Sequence, residues 1–360
     1  MKNQIIFFFV CIMTLNFIPS NGQPCTSFFL NGQGTHLVGK NYDWVIGNGL
    51  VVVNKRGVEK KALEVPGTRF DRPVRWTSKY GSITFNQYGR ELPLGGINEA
   101  GLVVEVLLLA ETVYPEPDAR PAISVLQWVQ YQLDNFASTR EVIASDAHLR
   151  ILSSAMAPGM HYFVCDQTGH CAGIEFLGGK LVAHTEEKMP VKVLTNSTYK
   201  SSLQYRKPKK GPMHHQNGSL ERFVRTANMV ENFDPKASTP AVAYAFEILK
   251  NVAQGSFTQW RIVYDIQNLT VHFLTTSNRE IRQIDLRSFD FSCTSPVKVL
   301  DISGDQSGDV SGAFVDYTEE INRAMIEASF RNTPFLATMP GDLLRELSRY
   351  PDTNTCFHPK

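Results

Sequence analysis

The residue best suited to covalent chemistry is Cys25, which follows Pro24 shortly after an apolar N-terminal segment. If cleavage made Cys25 the N-terminus, one residue would carry both a thiol and a free α-amine. An α-amine titrates at about pH 8, against about 10.4 for a lysine side chain, so it accepts a proton at neutral pH. Cys25 would then supply both the nucleophile and the general base for attack on an acyl carbon.

The first 22 residues have the pattern of a cleaved secretory signal peptide. Lys2 supplies a positive charge, residues 5–15 form an apolar run, and Ser20 and Gly22 are the small residues that a cleavage site needs. The apolar run is roughly half of the ~20 residues that a membrane-spanning helix needs. We therefore expect a signal peptide at 1–22, a short propeptide at 23–24, and a secreted or periplasmic protein with no stable membrane anchor.

Five of the six cysteines lie after this segment, and an oxidising compartment permits disulfides. Cys165 and Cys171 flank a turn-like segment, so a disulfide between them is one hypothesis. Pairing of Cys293 with Cys356 is a weaker one. An odd number leaves one thiol unpaired, and Cys25 is the natural candidate.

The overall composition argues against several classes of function. The 360-residue chain has a formal net charge of +1 and 42% hydrophobic residues, which indicates a folded globule without an electrostatic footprint for nucleic acid. The sequence has no HExxH and no paired CxxC motif, so we expect no catalytic metal and no cofactor. The lack of a GxSxG motif argues against a serine α/β-hydrolase.

The elements that must position Cys25 occur as groups of strands and groups of helices. Two β-type runs around residues 31–34 predict a hairpin with Cys25 at its open end. Further strands are predicted at 49–53, 82–85, 102–109, 160–165, 171–176, 180–184, 191–195, 259–264, 271–275 and 281–286, and helices at 119–136, 140–145, 220–230, 239–252, 317–330 and 341–349. This order suits packed antiparallel sheets covered by helices.

Five short segments together carry a resemblance to a known family: residues 25–26 (CT), 39–44 (GKNYDW), 98–102 (NEAGL), 194–197 (LTNS) and 221–225 (ERFVR). In this order they resemble the choloylglycine hydrolase family, which comprises bile salt hydrolases and penicillin V acylases. Residues 76–82 and 109–115 are similar to the acylase branch of Gram-negative bacteria.

The resemblance covers about residues 25–290 and leaves 291–360 as a C-terminal extension. It implies an α+β fold, the four-layer αββα sandwich of N-terminal-nucleophile (Ntn) hydrolases, with antiparallel sheets inside and helices outside. It also implies assembly as a homo-tetramer.

The resemblance assigns a catalytic role to four charged or nucleophilic residues. Cys25 is the nucleophile, Asp43 holds its α-amine, and Arg222 joins the charge network near the thiol. Lys40 stands where the family usually has Arg; it keeps the positive charge beside the thiol but lacks the planar fork of a guanidinium.

The resemblance also indicates the oxyanion donors and the substrate pocket. Asn196 would donate through its amide, although its Asn-Ser-Thr sequon offers a surface glycosylation site as the alternative. Leu108 would donate through its backbone N–H, and Trp44 and Leu108 would line the pocket. A leucine at this position matches neither bile salt hydrolases nor penicillin acylases and favours a lipid-like acyl group.

The function expected from these residues is hydrolysis of a linear carbon–nitrogen amide through a thioester on Cys25. The substrate would be a small N-acyl amide such as a conjugated bile salt, penicillin V, an acyl-homoserine lactone or a lipid amide. Two alternatives stay open: acyl transfer from the same thioester, and a secreted binding protein without catalysis on the same scaffold.

Overall fold

The computed structural model describes residues 25–32, 34–64, 71–154, 156–207 and 218–357. The predicted signal peptide and propeptide lie outside these residues. None of the helices in the described ranges is long and apolar enough to cross a membrane.

The strands of the described residues are β1 Thr26–Gly32, β2 Thr35–Asp43, β3 Leu50–Asn54, β4 Val58–Lys61, β5 Arg75–Thr77, β6 Ser82–Asn86, β7 Pro93–Asn98, β8 Val103–Leu108, β9 Ala122–Ser124, β10 Arg150–Leu152, β11 Met160–Cys165, β12 Cys171–Leu177, β13 Lys180–Thr185, β14 Val193–Leu194, β15 Thr258–Asp265, β16 Thr270–Thr275, β17 Arg282–Asp285, β18 Lys298–Asp301, β19 Gly308–Asp309, β20 Val315–Asp316 and β21 Thr355–Cys356. The helices are α1 Trp128–Asn135, α2 Thr139–Ala144, α3 Tyr199–Arg206, α4 Ser219–Glu231, α5 Ala241–Asn251, α6 Glu319–Asn332 and α7 Gly341–Arg349.

Two large sheets contain most of these strands. The seven-stranded sheet has the order β14-β1-β2-β15-β16-β17-β19, and the nine-stranded sheet has the order β13-β12-β11-β8-β7-β6-β3-β18-β20. Within both sheets neighbouring strands run antiparallel, except β17 and β19.

The sheets pack face to face and helices cover their outer faces. Tyr264 of β15 donates to Glu105 of β8 at 2.5 Å, a contact between the two sheets. Helices α4 and α5 pack on β1 and β2, while α1 packs on β7 and β8. The fold is therefore an α+β, four-layer αββα sandwich, which confirms the prediction.

The first hairpin places Cys25 at the edge where the active site is expected. Strands β1 and β2 pair from Thr26 opposite Asn41 to Gly32 opposite Thr35, and Gly34 in the turn has φ +80°, a conformation that favours glycine. Strand β1 lies between β14, at the edge of the seven-stranded sheet, and β2, so Cys25 directly precedes a strand that is hydrogen-bonded on both sides.

The prediction of one helix over residues 119–136 was wrong in its first half. Residues 122–124 form β9, which pairs in parallel with β10, and the helix begins only at Trp128. The backbone of this stretch finds partners far along the chain: the N–H of Val74 donates to the carbonyl of Ala122, and that of Arg150 to the carbonyl of Pro121. The spacing of apolar residues alone does not distinguish a short buried strand from a helical turn.

The segment after residue 290 is built into the same sheets. Strand β18 extends the nine-stranded sheet beside β3, and α6 and α7 cover the outer-face side chains of Leu50 and Val52. One disulfide joins Cys293 to Cys356 and a second joins Cys165 to Cys171, which leaves Cys25 as the free cysteine of the described chain.

Candidate active site

The fold gathers the predicted site residues around the start of β1. Leu194 of β14 pairs opposite Ser27, so Asn196, two residues beyond, lies beside Cys25. Helix α4 packs on β1 and places Arg222 against Cys25. Residues far apart in the chain thereby meet at the open end of the first hairpin.

The side chain of Asn196 makes hydrogen bonds to both Cys25 and Leu108. Its Oδ1 accepts a hydrogen bond from the Cys25 nitrogen at 2.5 Å, and its Nδ2 donates to the carbonyl of Leu108 at 2.9 Å. Because both ends of the side-chain amide are held, the second hydrogen on Nδ2 has a fixed direction. A glycan would replace the second Nδ2 hydrogen, which the predicted oxyanion role needs, so glycosylation and that role exclude each other at Asn196.

Arg222 fixes the position of Cys25 through its guanidinium. One nitrogen, Nη1, donates to the Cys25 carbonyl at 2.5 Å and to Thr26 Oγ1 at 2.7 Å, and Nη2 donates to Asn196 Oδ1 at 3.0 Å. The side chain is buried, and burial lowers the pKa of Arg222 to about 10, which still leaves it charged at neutral pH. A planar fork makes these three contacts at once.

Asp43 lies at the end of β2 with one carboxylate oxygen unused. Its Oδ1 accepts from Thr258 Oγ1, while Oδ2 is buried and has no hydrogen-bond partner among the described residues. Burial raises the pKa of Asp43 to about 7, against the hydrogen bond from Thr258 and the charge of Arg222. In the uncleaved chain the Cys25 nitrogen donates to Asn196, so Asp43 Oδ2 is available to accept another hydrogen bond.

Cys25 is buried, and neighbouring groups shift the pKa of its thiol in opposite directions. Burial raises the pKa of the thiol, the cation of Lys40 lowers it, and the charge of Asp43 raises it further, while the backbone N–H of Asp43 and the charge of Arg222 lower it. The net direction is upward. The thiol of this form is therefore held protonated at neutral pH and needs a base to become a nucleophile.

Lys40 belongs to a buried polar group that the sequence analysis did not assign. Its Nζ donates to the carbonyl of Val106 and lies 3.5 Å from Glu105 Oε2. Burial raises the pKa of Glu105 to about 7, opposed by Lys40 and by the hydrogen bond from Tyr264. The one sequence signal was that Glu105 is the sole charged residue in the apolar strand β8.

An apolar cavity opens beside the thiol. Cys25, Trp44 and Leu108 line it, as predicted for the pocket, and the other walls include Tyr42, Tyr88, Val106, Leu126, Val129, Met156, Met160, Phe330, Phe335 and Leu336. It lies where the three hydrophobic clusters of the protein meet. Such a cavity suits an apolar group placed with its reactive end at the sulfur.

In the ranges that the structure describes, no group of three or more His, Cys, Asp and Glu side chains is arranged to hold a metal ion.

Comparison with known proteins shows the family of this chain. The family model of linear amide C–N hydrolases, choloylglycine hydrolase family, matches residues 25–210, beginning at Cys25. The chain belongs to the choloylglycine hydrolase family. Penicillin V acylase of Pectobacterium atrosepticum is 32% identical over 290 residues, which cover 67% of this chain and 77% of the relative.

Solved structures agree with the choloylglycine hydrolase assignment. Penicillin V acylase from Agrobacterium tumefaciens is 27% identical with a TM-score of 0.70, and the match covers 82% of this chain and 98% of that one. A variant of the conjugated bile acid hydrolase from Clostridium perfringens has 19% identity and a TM-score of 0.63, with 79% and 98% covered, and shares the fold.

Proposed function

We propose that Cys25, once it is the N-terminal residue, hydrolyses a linear N-acyl amide through a thioester. The observation that carries this proposal is the placement of Cys25 between the Asn196 amide and the apolar cavity, with its nitrogen 2.5 Å from Asn196 Oδ1. In the uncleaved chain this nitrogen is an amide and cannot act as a base. Removal of the preceding residues turns it into an amine.

The free amine would have more hydrogens than the peptide N–H has, and the site offers acceptors for them. Asn196 Oδ1 already takes one, and the buried Asp43 Oδ2 is unpartnered among the described residues. A charge-assisted hydrogen bond from an ammonium to Asp43 stabilises the carboxylate and counters the effect of burial on its pKa.

The chemical steps then need only groups already present. The α-amine takes the thiol proton, the sulfur attacks the acyl carbon, and the oxyanion accepts the second Nδ2 hydrogen of Asn196 and the backbone N–H of Leu108. Collapse of the tetrahedral intermediate breaks the C–N bond, and the α-ammonium returns its proton to the leaving amine. Water activated by the same amine then hydrolyses the thioester and releases a carboxylic acid.

The cavity favours an apolar acyl group. Its walls are mostly aliphatic and aromatic, and Leu108 and Trp44 line it together with Cys25. Penicillin V, the substrate in the names of two similar proteins, is the first substrate to test, followed by conjugated bile salts and N-acyl amides. We also propose export by the N-terminal signal and a homo-tetrameric assembly.

The deciding experiment compares the exported wild-type protein with Cys25→Ala by intact mass and N-terminal sequencing, together with release of amine from penicillin V and N-acyl amides. We expect a wild-type chain that begins at Cys25 and hydrolyses an amide, and an inactive Cys25→Ala chain. A wild-type chain that begins upstream of Cys25 would overturn the mechanism and favour a binding protein.

A further inference from the structure

Part of the wall of the cavity comes from the C-terminal segment. Phe330 at the end of α6, together with Phe335 and Leu336 in the following turn, lines the same cavity as Cys25 and Leu108. These three residues lie beyond residue 210, where the family match ends, and beyond the predicted catalytic region. A segment outside the family match therefore shapes the cavity that Cys25 lines.

Hydrogen bonds tie this wall to the catalytic half of the molecule. Trp44, which follows Asp43 directly, donates from Nε1 to Tyr88 Oη at 2.5 Å, and Tyr88 Oη lies 2.8 Å from Thr333 Oγ1. Asn48 donates to Ser329 Oγ at 2.7 Å. Hydrogen bonds thus link the end of α6 and the residue after it to the segment that follows β2, the strand that ends at Asp43.

A second set of buried contacts holds the helices behind the wall. Asn322 of α6 accepts from the N–H of Arg90 at 2.9 Å and donates to the carbonyl of Ser348 in α7 at 3.0 Å. Tyr350 accepts from Gln127 at 2.6 Å, and the disulfide to Cys293 fixes Cys356. A segment with this many buried polar partners is a fixed wall and not a mobile lid.

We propose that the C-terminal segment 319–349 sets the length of the acyl group that the cavity accepts, with Phe335 and Leu336 as the specificity-determining residues. This inference rests on the proposed function, because it assumes that the acyl group of the substrate occupies the cavity beside Cys25. The ligand class is a straight-chain or aryl-substituted carboxylic acyl group.

Phe335 is the better residue to change. Its ring meets Trp44 edge to face with centroids 6.3 Å apart, yet it is 38% exposed, whereas Leu336 is buried. Truncation of Phe335 therefore opens the wall without emptying a core position. Phe357, which lies beyond this segment, is 47% exposed and does not line the cavity, so it provides a matched control.

The experiment measures kcat/KM of the processed enzyme for acyl p-nitroanilides of increasing chain length, and the affinity of the same protein for the corresponding carboxylic acids. For Phe335→Ala we expect the preferred chain to lengthen, with the long-to-short ratio of kcat/KM rising about tenfold. Each further buried methylene should raise the affinity for the acid about fourfold. Phe335→Trp should shift both profiles toward shorter chains, and Phe357→Ala should leave them unchanged.

The acid-binding series separates the two proposals because it requires no catalysis. Suppose that the wild-type enzyme hydrolyses no anilide, but Phe335→Ala still shifts acid binding toward longer chains. This result contradicts the proposed function and supports the proposal that the C-terminal segment sets the acyl length. If Phe335→Ala and Phe357→Ala give identical chain-length profiles in both series, the proposal that the C-terminal segment sets the acyl length is wrong.

Discussion

The side-chain amide of Asn196 donates to the backbone carbonyl of Leu108 at 2.9 Å. Asn196 follows β14 of the seven-stranded sheet, and Leu108 ends β8 of the nine-stranded sheet. This hydrogen bond therefore crosses between the two sheets and places two candidate oxyanion donors side by side. The spacing of the donors is set by how the sheets pack, not by any local segment.

Replacement of Asn196 should lower kcat much more than it lowers the stability of the fold. Asn196→Asp keeps an acceptor for the Cys25 nitrogen but removes the Nδ2 donor and places a negative charge beside the developing oxyanion. We expect kcat to fall by about two to three orders of magnitude, the usual effect of losing an oxyanion donor. Steady-state kinetics and thermal unfolding of the variant check this. A fall of less than about fivefold would remove Asn196 from the oxyanion site.

The charge of Lys40 should be visible in the reactivity of Cys25. Lys40→Met combined with Glu105→Gln removes the buried ion pair without leaving one charge alone. Because the Lys40 cation lowers the pKa of the thiol, its removal should raise that pKa. The check is the pH dependence of alkylation by iodoacetamide, whose midpoint should move upward. Lys40→Arg serves as the control that retains the charge, and an unchanged midpoint in the double variant would contradict the role.

Glu105 should make the stability of the protein depend on pH. Burial raises the pKa of Glu105 from 4.5 to about 7, so the folded state binds a proton more tightly than the unfolded state. Its contribution to the free energy of unfolding is therefore complete below pH 4.5 and is lost as the pH rises to about 7.

Urea unfolding across this range should show a fall in the free energy of unfolding as the pH rises. Glu105→Gln should flatten that fall, whereas Glu247→Gln, at an exposed position of α5, should not. If the slopes of wild type and Glu105→Gln coincide, Glu105 does not titrate in this window.

The two disulfides should contribute unequally to stability. Cys293 and Cys356 are separated by 63 positions in the sequence, and Cys165 and Cys171 by 6. In the loop-entropy model the longer loop stabilises the fold by about 2 kcal/mol more, because its closure restricts the unfolded chain more strongly. Denaturant unfolding of Cys293→Ser with Cys356→Ser, beside Cys165→Ser with Cys171→Ser, tests the difference. Equal losses of stability would contradict the entropic account.

The amino-acid sequence was sufficient to predict the fold class and most of the elements around the site. Strands such as β11 and helices such as α7 have the predicted bounds, because alternating or helically spaced apolar residues are a local property of the chain. The set of short motifs likewise indicated the family and named Cys25, Asp43, Asn196 and Arg222, which the structure brings to one place.

How these residues interact depends on the folded arrangement of the whole chain. Asn196, not Asp43, accepts from the Cys25 nitrogen, Thr258 and Glu105 join the polar network, and Phe335 reaches the cavity from the C-terminal segment. Such contacts join positions that lie 65 or more residues apart in the chain, and they depend on the packing of the two sheets and the helices. Local sequence propensity carries no information about a partner that is distant in the chain and comes close only when the protein folds.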